Sequence, residues 1–329
     1  MSVFPLLFKG EKMEKRDFLT ILDLKKEEIF KIYDLAKMYK SKWKEREREG
    51  LLEGRTIGLI FNKPSTRTRT SFEVAIYSLG GNTIYFEEGN IQISRGETIK
   101  DTSNVLSKYI DGLVIRTYKQ SEVEEFAKWC SFPVINALTD LLHPCQILSD
   151  YFTIFEKFGK LDGLKLTYIG DGNNVCNSLI LGGDLLGVEV RIICPDEYKP
   201  SEKIINMVKK EIKISNDPED FLEDTDILYT DTWVSMGDEK EKEKRIKVFK
   251  PYQVNKKLVS KIKNDFIFMH CLPAHRGWEV EDEIIDGKNS IVLTQAENRL
   301  HCQKALLHFL YSPLLEPGSN RRENWRKCL

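Results

Sequence analysis

Nowhere in the 329-residue sequence does an apolar run approach the roughly 20 residues needed to span a bilayer, and Met1 to Lys12 lacks the apolar core and small-residue cleavage site of a signal peptide. These absences argue against a membrane or exported protein and lead us to expect a cytoplasmic one. The seven cysteines include no Cys-x-x-Cys pair and are odd in number, so neither a disulfide framework nor a zinc site is expected, and reduced thiols fit best. Charge of one sign is missing as well. Lys+Arg total 50 against 51 Asp+Glu, a net charge of -1, which leaves no global field for nucleic acid or an anionic membrane. Any anion site must therefore be local. What is present, 41% hydrophobic and 31% charged residues, describes a globular chain long enough for two domains, and the many Lys and Glu residues hint at surface ion-pair networks.

Strand-like and helix-like segments alternate along the chain, the pattern of an α/β protein with parallel sheets. Residues 1 to 16 carry no periodicity, and Met13 is a possible start. Asp23 is read as the cap of a first helix with Leu24, Ile29, Ile32 and Leu35 on its buried side, continuing into the charge run Lys40 to Glu49. Strands are expected at Thr56 to Phe61, Thr83 to Phe86, Gly112 to Arg116 and Pro133 to Asn136. The second half repeats the alternation with strands at Leu164 to Ile169, Glu189 to Ile193, Ile227 to Asp231, Phe266 to His270 and Ile291 to Thr294, then a helix from Glu297 to Tyr311 that packs back on the first half. We expect two doubly wound parallel-sheet domains joined by interdomain helices. Residues 1–147, completed by a C-terminal helix at about 301–329, would form one and residues 148–300 the other. Glu87 to Thr98, polar with two glycines, reads as a long loop, the kind that is often functional. The basic tail with Arg321, Arg322, Arg326 and Lys327 is read as a frayed or packed end, not a nucleic-acid arm.

Asn62-Lys-Pro-Ser-Thr-Arg-Thr-Arg-Thr-Ser71 lies between the strand at Thr56 and an amphipathic segment, so Ser65 to Thr68 fall where a helix begins. Helix-initial amides lack intrahelical partners, the dipole adds positive potential, and the hydroxyls and the forks of Arg67 and Arg69 extend the donor set. That is an anion site. Gly170-Asp-Gly-Asn-Asn174 follows a strand and begins like a dinucleotide fingerprint, but Val175 replaces the third glycine and Cys194-Pro195 stands before Asp196 where an acidic residue should close the next strand. Cys271-Leu-Pro273, with His270 or His275 nearby, suggests a cysteine nucleophile. Arg116 ends its strand where open parallel sheets present ligand groups.

Together with His143-Pro-Cys-Gln146, Asp231 followed by Ser235-Met-Gly237, His275-Arg-Gly277 and Glu297-Asn-Arg299, these motifs resemble, in order and over essentially the whole chain, the aspartate and ornithine carbamoyltransferases. The Ser-Met-Gly loop is similar to that of the ornithine members. The resemblance implies carbamoyl transfer from carbamoyl phosphate to L-ornithine, giving L-citrulline and phosphate, with no cofactor and no metal, in a homotrimer or an assembly of trimers and in arginine biosynthesis. Its alternative is another amine acceptor: putrescine, acetylornithine or aspartate. It assigns carbamoyl phosphate to Ser65, Thr66, Arg67, Thr68, Gln92, Arg116, His143, Gln146, Cys271, Leu272 and Arg299, with Gln92 reaching a neighbouring subunit, and ornithine to Asn174, Asp231, Ser235 and Met236. Arg67, Arg116, His143 and Cys271 would be catalytic, with no covalent intermediate at Cys271. Two residues depart from the family: Cys145, commonly Thr or Ser, and Trp278, commonly Glu.

Overall fold

The computed structural model describes residues 15–45, 49–87, 96–234, 239–262 and 265–312. Strands β1 (Thr56–Phe61), β2 (Asn82–Glu87), β3 (Gly112–Arg116) and β4 (Val134–Leu138) form one sheet. Its helices are α1 (Lys26–Ser41), α2 (Arg67–Ser78), α3 (Ile99–Leu106), α4 (Gln120–Trp129) and α5 (Pro144–Phe158). Strands β5 (Lys165–Ile169), β6 (Glu189–Ile193), β7 (Lys213–Ser215), β8 (Ile227–Thr230) and β9 (Ile267–His270) form the other. It carries α6 (Asn174–Leu186), α7 (Glu202–Ile205), α8 (Lys242–Phe249), α9 (Lys256–Val259), α10 (Asp282–Ile285) and α11 (Val292–Tyr311).

Both sheets are parallel throughout, with orders β2-β1-β3-β4 and β7-β6-β5-β8-β9. Gly112–Arg116, Ile227–Thr230 and Ile267–His270 are buried along their whole length; unbroken apolar runs of this kind belong to parallel strands covered on both faces. In each sheet the winding reverses once, between β1 and β3 and between β5 and β8. Crevices open at such reversals, outside the carboxyl ends of the strands. One hydrophobic cluster joins the halves, containing Leu59 and Val114 of the first sheet, Tyr168 and Met269 of the second, and Leu306 and Leu307 of α11. Helix α11 packs on α1, α2 and α5. No helix among the described residues is long and apolar enough to cross a membrane.

Several expectations require correction. Ile291 to Thr294 is not a strand. Ser290 makes a single bridge to Phe268, after which Ile291 caps α11 and its carbonyl accepts from Gln295 N at 2.8 Å; four apolar or β-branched residues are too few to separate strand from helix periodicity. Asp23 does not cap α1. It closes a short turn capped by Thr20, its carboxylate accepting from Leu19 N and Thr20 N at 2.6 and 2.9 Å, while Glu28 accepts from Lys25 N at the start of α1. Helix α1 ends at Ser41, only two residues into the charge run. Strand β7, three residues at a sheet edge, carries too little pattern to be read. Gln92, Ser235 and Met236 lie outside the described residues, as do most of the Glu87 to Thr98 loop and residues 313–329.

Candidate active site

The two reversal points face a shared cavity of about 1270 Å³. From the first sheet, the turn after β1 brings Lys63, Pro64, Ser65, Thr66, Arg67 and Thr68, and the end of β3 brings Arg116. From the second, the turn after β5 brings Asp171 to Asn174 and the end of β8 brings Asp231. His143 and Gln146 of α5, Cys271 and Leu272 after β9, and Arg299 of α11 complete the walls. Every described residue that the family resemblance assigned to a substrate lines this cavity.

Thr66 is the N-cap of α2 yet makes no side-chain capping bond, so its hydroxyl and that of Ser65 remain on the cavity wall. Arg69 does not join them. Residues two apart on a helix point about 200° apart, and Arg69 instead pairs with Glu73 at 2.9 Å and lies over the Tyr85 ring. The second fork comes from elsewhere: Arg299 donates to Thr68 Oγ1 at 3.0 Å and to Gln146 Oε1.

Three guanidiniums, of Arg67, Arg116 and Arg299, therefore converge on one wall, and Arg116 forms no salt bridge among the described residues. Burial holds its pKa down to about 10, with the charges of Arg299 and Arg67 acting in the same direction. Burial and then the charges of Arg299, Arg116 and Arg67 push His143 well below the usual imidazole range. It is neutral, so a ring N–H is available to donate while the ring is a poor base. A wall that lowers the proton affinity of its own cations is one that gains from a bound anion.

The opposite wall is carboxylate-centred. Asp231 accepts from Asn173 Nδ2 at 2.8 Å, from Thr232 N at 2.8 Å and from Cys271 Sγ at 3.0 Å. Desolvation beside this carboxylate drives the Cys271 thiol well above its ordinary range, which favours the protonated sulfur over a thiolate nucleophile. Although Asp231, His270 and Cys271 offer ligand atoms within 4.8 Å of one another, both nitrogens of His270 are engaged, Nδ1 by Leu272 N at 2.9 Å and Nε2 by Glu279 at 3.3 Å.

The glycines of Gly170-Asp-Gly172 serve the turn itself. Gly170 has φ +147°, and a Cβ on Gly172 would lie 2.3 Å from Pro200 N. They are needed for backbone conformation and close chain approach, which removes the remaining support for a dinucleotide fingerprint. Asn174 lines the cavity and donates to Thr139 O at 2.6 Å. Sequence reasoning passed over its neighbour Asn173, which caps α6 through Oδ1 and orients Asp231 through Nδ2; the signal was its place at the helix start. Also passed over was Lys63, a buried cation beside Asp140 and over the Tyr118 ring. Of the two departures, Cys145 donates to Asn136 O and is absent from the cavity lining. Trp278 lines it, stacked on His275 at 4.8 Å with Lys242 4.9 Å above its ring.

Comparison with known proteins gives the same picture. Residues 16–156 match the family model described as aspartate/ornithine carbamoyltransferase, carbamoyl-P binding domain, and residues 162–310 match the Asp/Orn binding domain of the same family. The ornithine carbamoyltransferase of Pyrococcus horikoshii is 49% identical over 305 residues, 91% of this chain and 96% of that one. The anabolic ornithine carbamoyltransferase of Pyrococcus furiosus is 50% identical over 299 residues, 89% of this chain and 95% of that one. A solved structure of ornithine carbamoyltransferase from Pyrococcus furiosus superposes with a TM-score of 0.87 at 48% identity, covering 93% of this chain and all of that one. With both domain models, their order in the chain and the superposition in agreement, the chain belongs to the aspartate/ornithine carbamoyltransferase family.

Proposed function

We infer that this chain is an enzyme that transfers the carbamoyl group of carbamoyl phosphate to L-ornithine, yielding L-citrulline and phosphate. The observation that carries the inference is the pairing, across one cavity, of the Arg67, Arg116 and Arg299 wall with the Asp231 wall. The first suits a phosphate dianion and the second an ammonium group. Ser65, Thr66 and Thr68 add hydroxyls to the phosphate wall. Gln146, His143 and the Cys271-Leu272 segment surround the carbamoyl group, and Asn174 and Asp231 hold the α-amino acid end of ornithine, with Ser235 and Met236 completing it.

The reacting amine, once neutral, attacks the carbamoyl carbon. The carbon–oxygen bond to phosphate then breaks, its electron pair leaving with the phosphate, and the departing phosphate takes the proton that the attacking amine loses, so that it is released as the hydrogen-phosphate dianion. His143 is suited to donate an N–H to the carbonyl oxygen as charge grows there and is poorly suited to act as base. The protein thus contributes position, dehydration and fixed charge. No metal or organic cofactor takes part in this scheme, and activity is expected to survive exhaustive treatment with a chelator.

We further propose that residues 1–147, completed by the C-terminal segment from about 301, act as the carbamoyl-phosphate domain and residues 148–300 as the ornithine domain. The working form is a homotrimer or an assembly of trimers in the cytoplasm, with Gln92 entering a neighbour's site. Operation in arginine biosynthesis is supported by the likeness to the anabolic enzyme of Pyrococcus furiosus. The direct test is to incubate the purified chain with carbamoyl phosphate and L-ornithine and measure products. Citrulline and phosphate forming in equal amounts is expected; phosphate release without citrulline would refute the transfer.

A further inference from the structure

Asp150 lies on α5, one turn beyond Gln146, and is completely buried. Its Oδ1 accepts from Gln146 Nε2 at 2.8 Å and from Gln295 Nε2 at 2.9 Å, and its Oδ2 accepts from Tyr229 OH at 2.9 Å. On the other side of Gln146, Arg299 donates to Oε1. This arrangement leaves the amide one orientation. A guanidinium has only donors and an ionised carboxylate only acceptors, so a glutamine held between them must turn its oxygen to Arg299 and its nitrogen to Asp150. The oxygen keeps a second lone pair, and both Gln146 and Arg299 line the cavity.

We propose that Asp150 is a positioning residue for the carbamoyl group: by claiming the NH2 of Gln146 it obliges that side chain to present an acceptor, the group that the substrate's own NH2 requires. The inference rests on the carbamoyl-phosphate reading of the cavity and deepens it, because an inverted Gln146 would oppose donor to donor. The same carboxylate also connects the half-sites. Gln295, bound to Asp150 and to Tyr229 OH at 3.1 Å, accepts from His270 N at 3.0 Å, the residue before Cys271; Tyr229 lies two residues before Asp231. Asp150 thus links α5 to β8 through Tyr229 and to α11 through Gln295, which in turn reaches β9. Burial raises the pKa of Asp150 to about 6, with the hydrogen bonds from Gln295, Gln146 and Tyr229 acting against that rise, so the acceptor-only form that the role requires is the one held above about that pH.

The test uses the full-length enzyme, assayed for citrulline with each substrate varied in turn. Asp150→Ala, which retains no acceptor, is expected to lower kcat/KM for carbamoyl phosphate about thirtyfold or more, and Asp150→Asn, which retains one, by only about threefold. The KM for ornithine should move less than about twofold in both. An exchange arm separates positioning from bulk structure. Gln146→Glu sets two carboxylates face to face and should be nearly inactive. Adding Asp150→Asn removes one of the two facing charges and supplies an NH2 that can turn toward the carboxylate introduced at position 146, whose other oxygen still serves Arg299 and the substrate; the turn gives up the bond from Gln295 Nε2, a smaller loss than two opposed charges, so the double variant should regain at least about tenfold over the single one. Equal losses for Ala and Asn, a parallel rise of both KM values, or a double variant no better than Gln146→Glu would each overturn the proposal. Should Asp150→Ala fail to fold, the exchange arm decides alone. Wild-type enzyme that forms no citrulline would instead refute the underlying reading.

Discussion

Arg67, Arg116 and Arg299 come from three separate motifs that the family resemblance assigned to one ligand; the fold shows that the charges of Arg67 and Arg299 act on Arg116. Arg67 is exposed on the cavity wall, so Arg67→Ala should leave folding intact while removing a charge-assisted contact worth about 1.5–3 kcal/mol. Turnover is expected to fall at least about tenfold, and wild-type kinetics in that variant would remove the loop from the mechanism. Asp150 gives a second residue-scale prediction, on stability. Burial raises its pKa from the ordinary 3.8 to about 6. Because the folded state binds this proton more tightly than the unfolded chain, the site favours folding below about pH 4, and that advantage is lost as pH rises through about 6, at a cost on the order of 3 kcal/mol. Asp150→Asn cannot titrate. Relative to wild type it should therefore be more stable to denaturant at pH 8 than at pH 4.5, even as it loses activity; an unchanged difference between the two pH values would show that the carboxylate is not strained by burial.

At the scale of elements, the turn between β5 and α6 shows how one short segment serves both backbone and site. Asn173 caps α6 with its oxygen, accepting from Val175 N and Cys176 N, and steers Asp231 with its nitrogen. Asn173→Ala should cost about 1 kcal/mol of stability and raise the KM for ornithine about tenfold while leaving that for carbamoyl phosphate within about twofold; equal changes in both would assign Asn173 to the cap alone. Strands with long buried runs and helices with clear starts, such as β3 and α5, were legible because their patterns are local. The misread Ile291 to Thr294 and unread β7 were not, since four or three residues carry no period and their state is decided by Phe268 and Arg191 on neighbouring strands. Arg69 was misassigned for a related reason: proximity in sequence to Arg67 is opposition on a helix. The setting of Trp278 was likewise invisible, because Lys242, which lies over its ring, comes from the start of α8.

For the whole molecule, two parallel sheets each reverse their winding once, and the reversals face one another across the cavity. The motifs and their order could be read from the chain, but not the network beneath them, in which Asp150, Tyr229 and Gln295 meet from segments as far as 145 residues apart. If the polar loop carrying Gln92 completes a neighbour's site, Arg67→Ala and Gln92→Ala chains, each nearly inactive alone, should regain activity when dissociated and reassembled together, since some mixed sites then hold an intact Arg67 and an intact Gln92. Mixed oligomers verified by mass that remain inactive would confine the loop to its own chain. The most direct test of the central claim is an acceptor comparison at fixed carbamoyl phosphate, measuring carbamoylated product with L-ornithine, L-aspartate, N-acetylornithine and putrescine. The account predicts a kcat/KM for ornithine exceeding each of the others by at least about a hundredfold, the margin set by leaving buried polar groups such as Asp231 unpaired or opposed. Comparable or greater carbamoylation of any of the other three would contradict it.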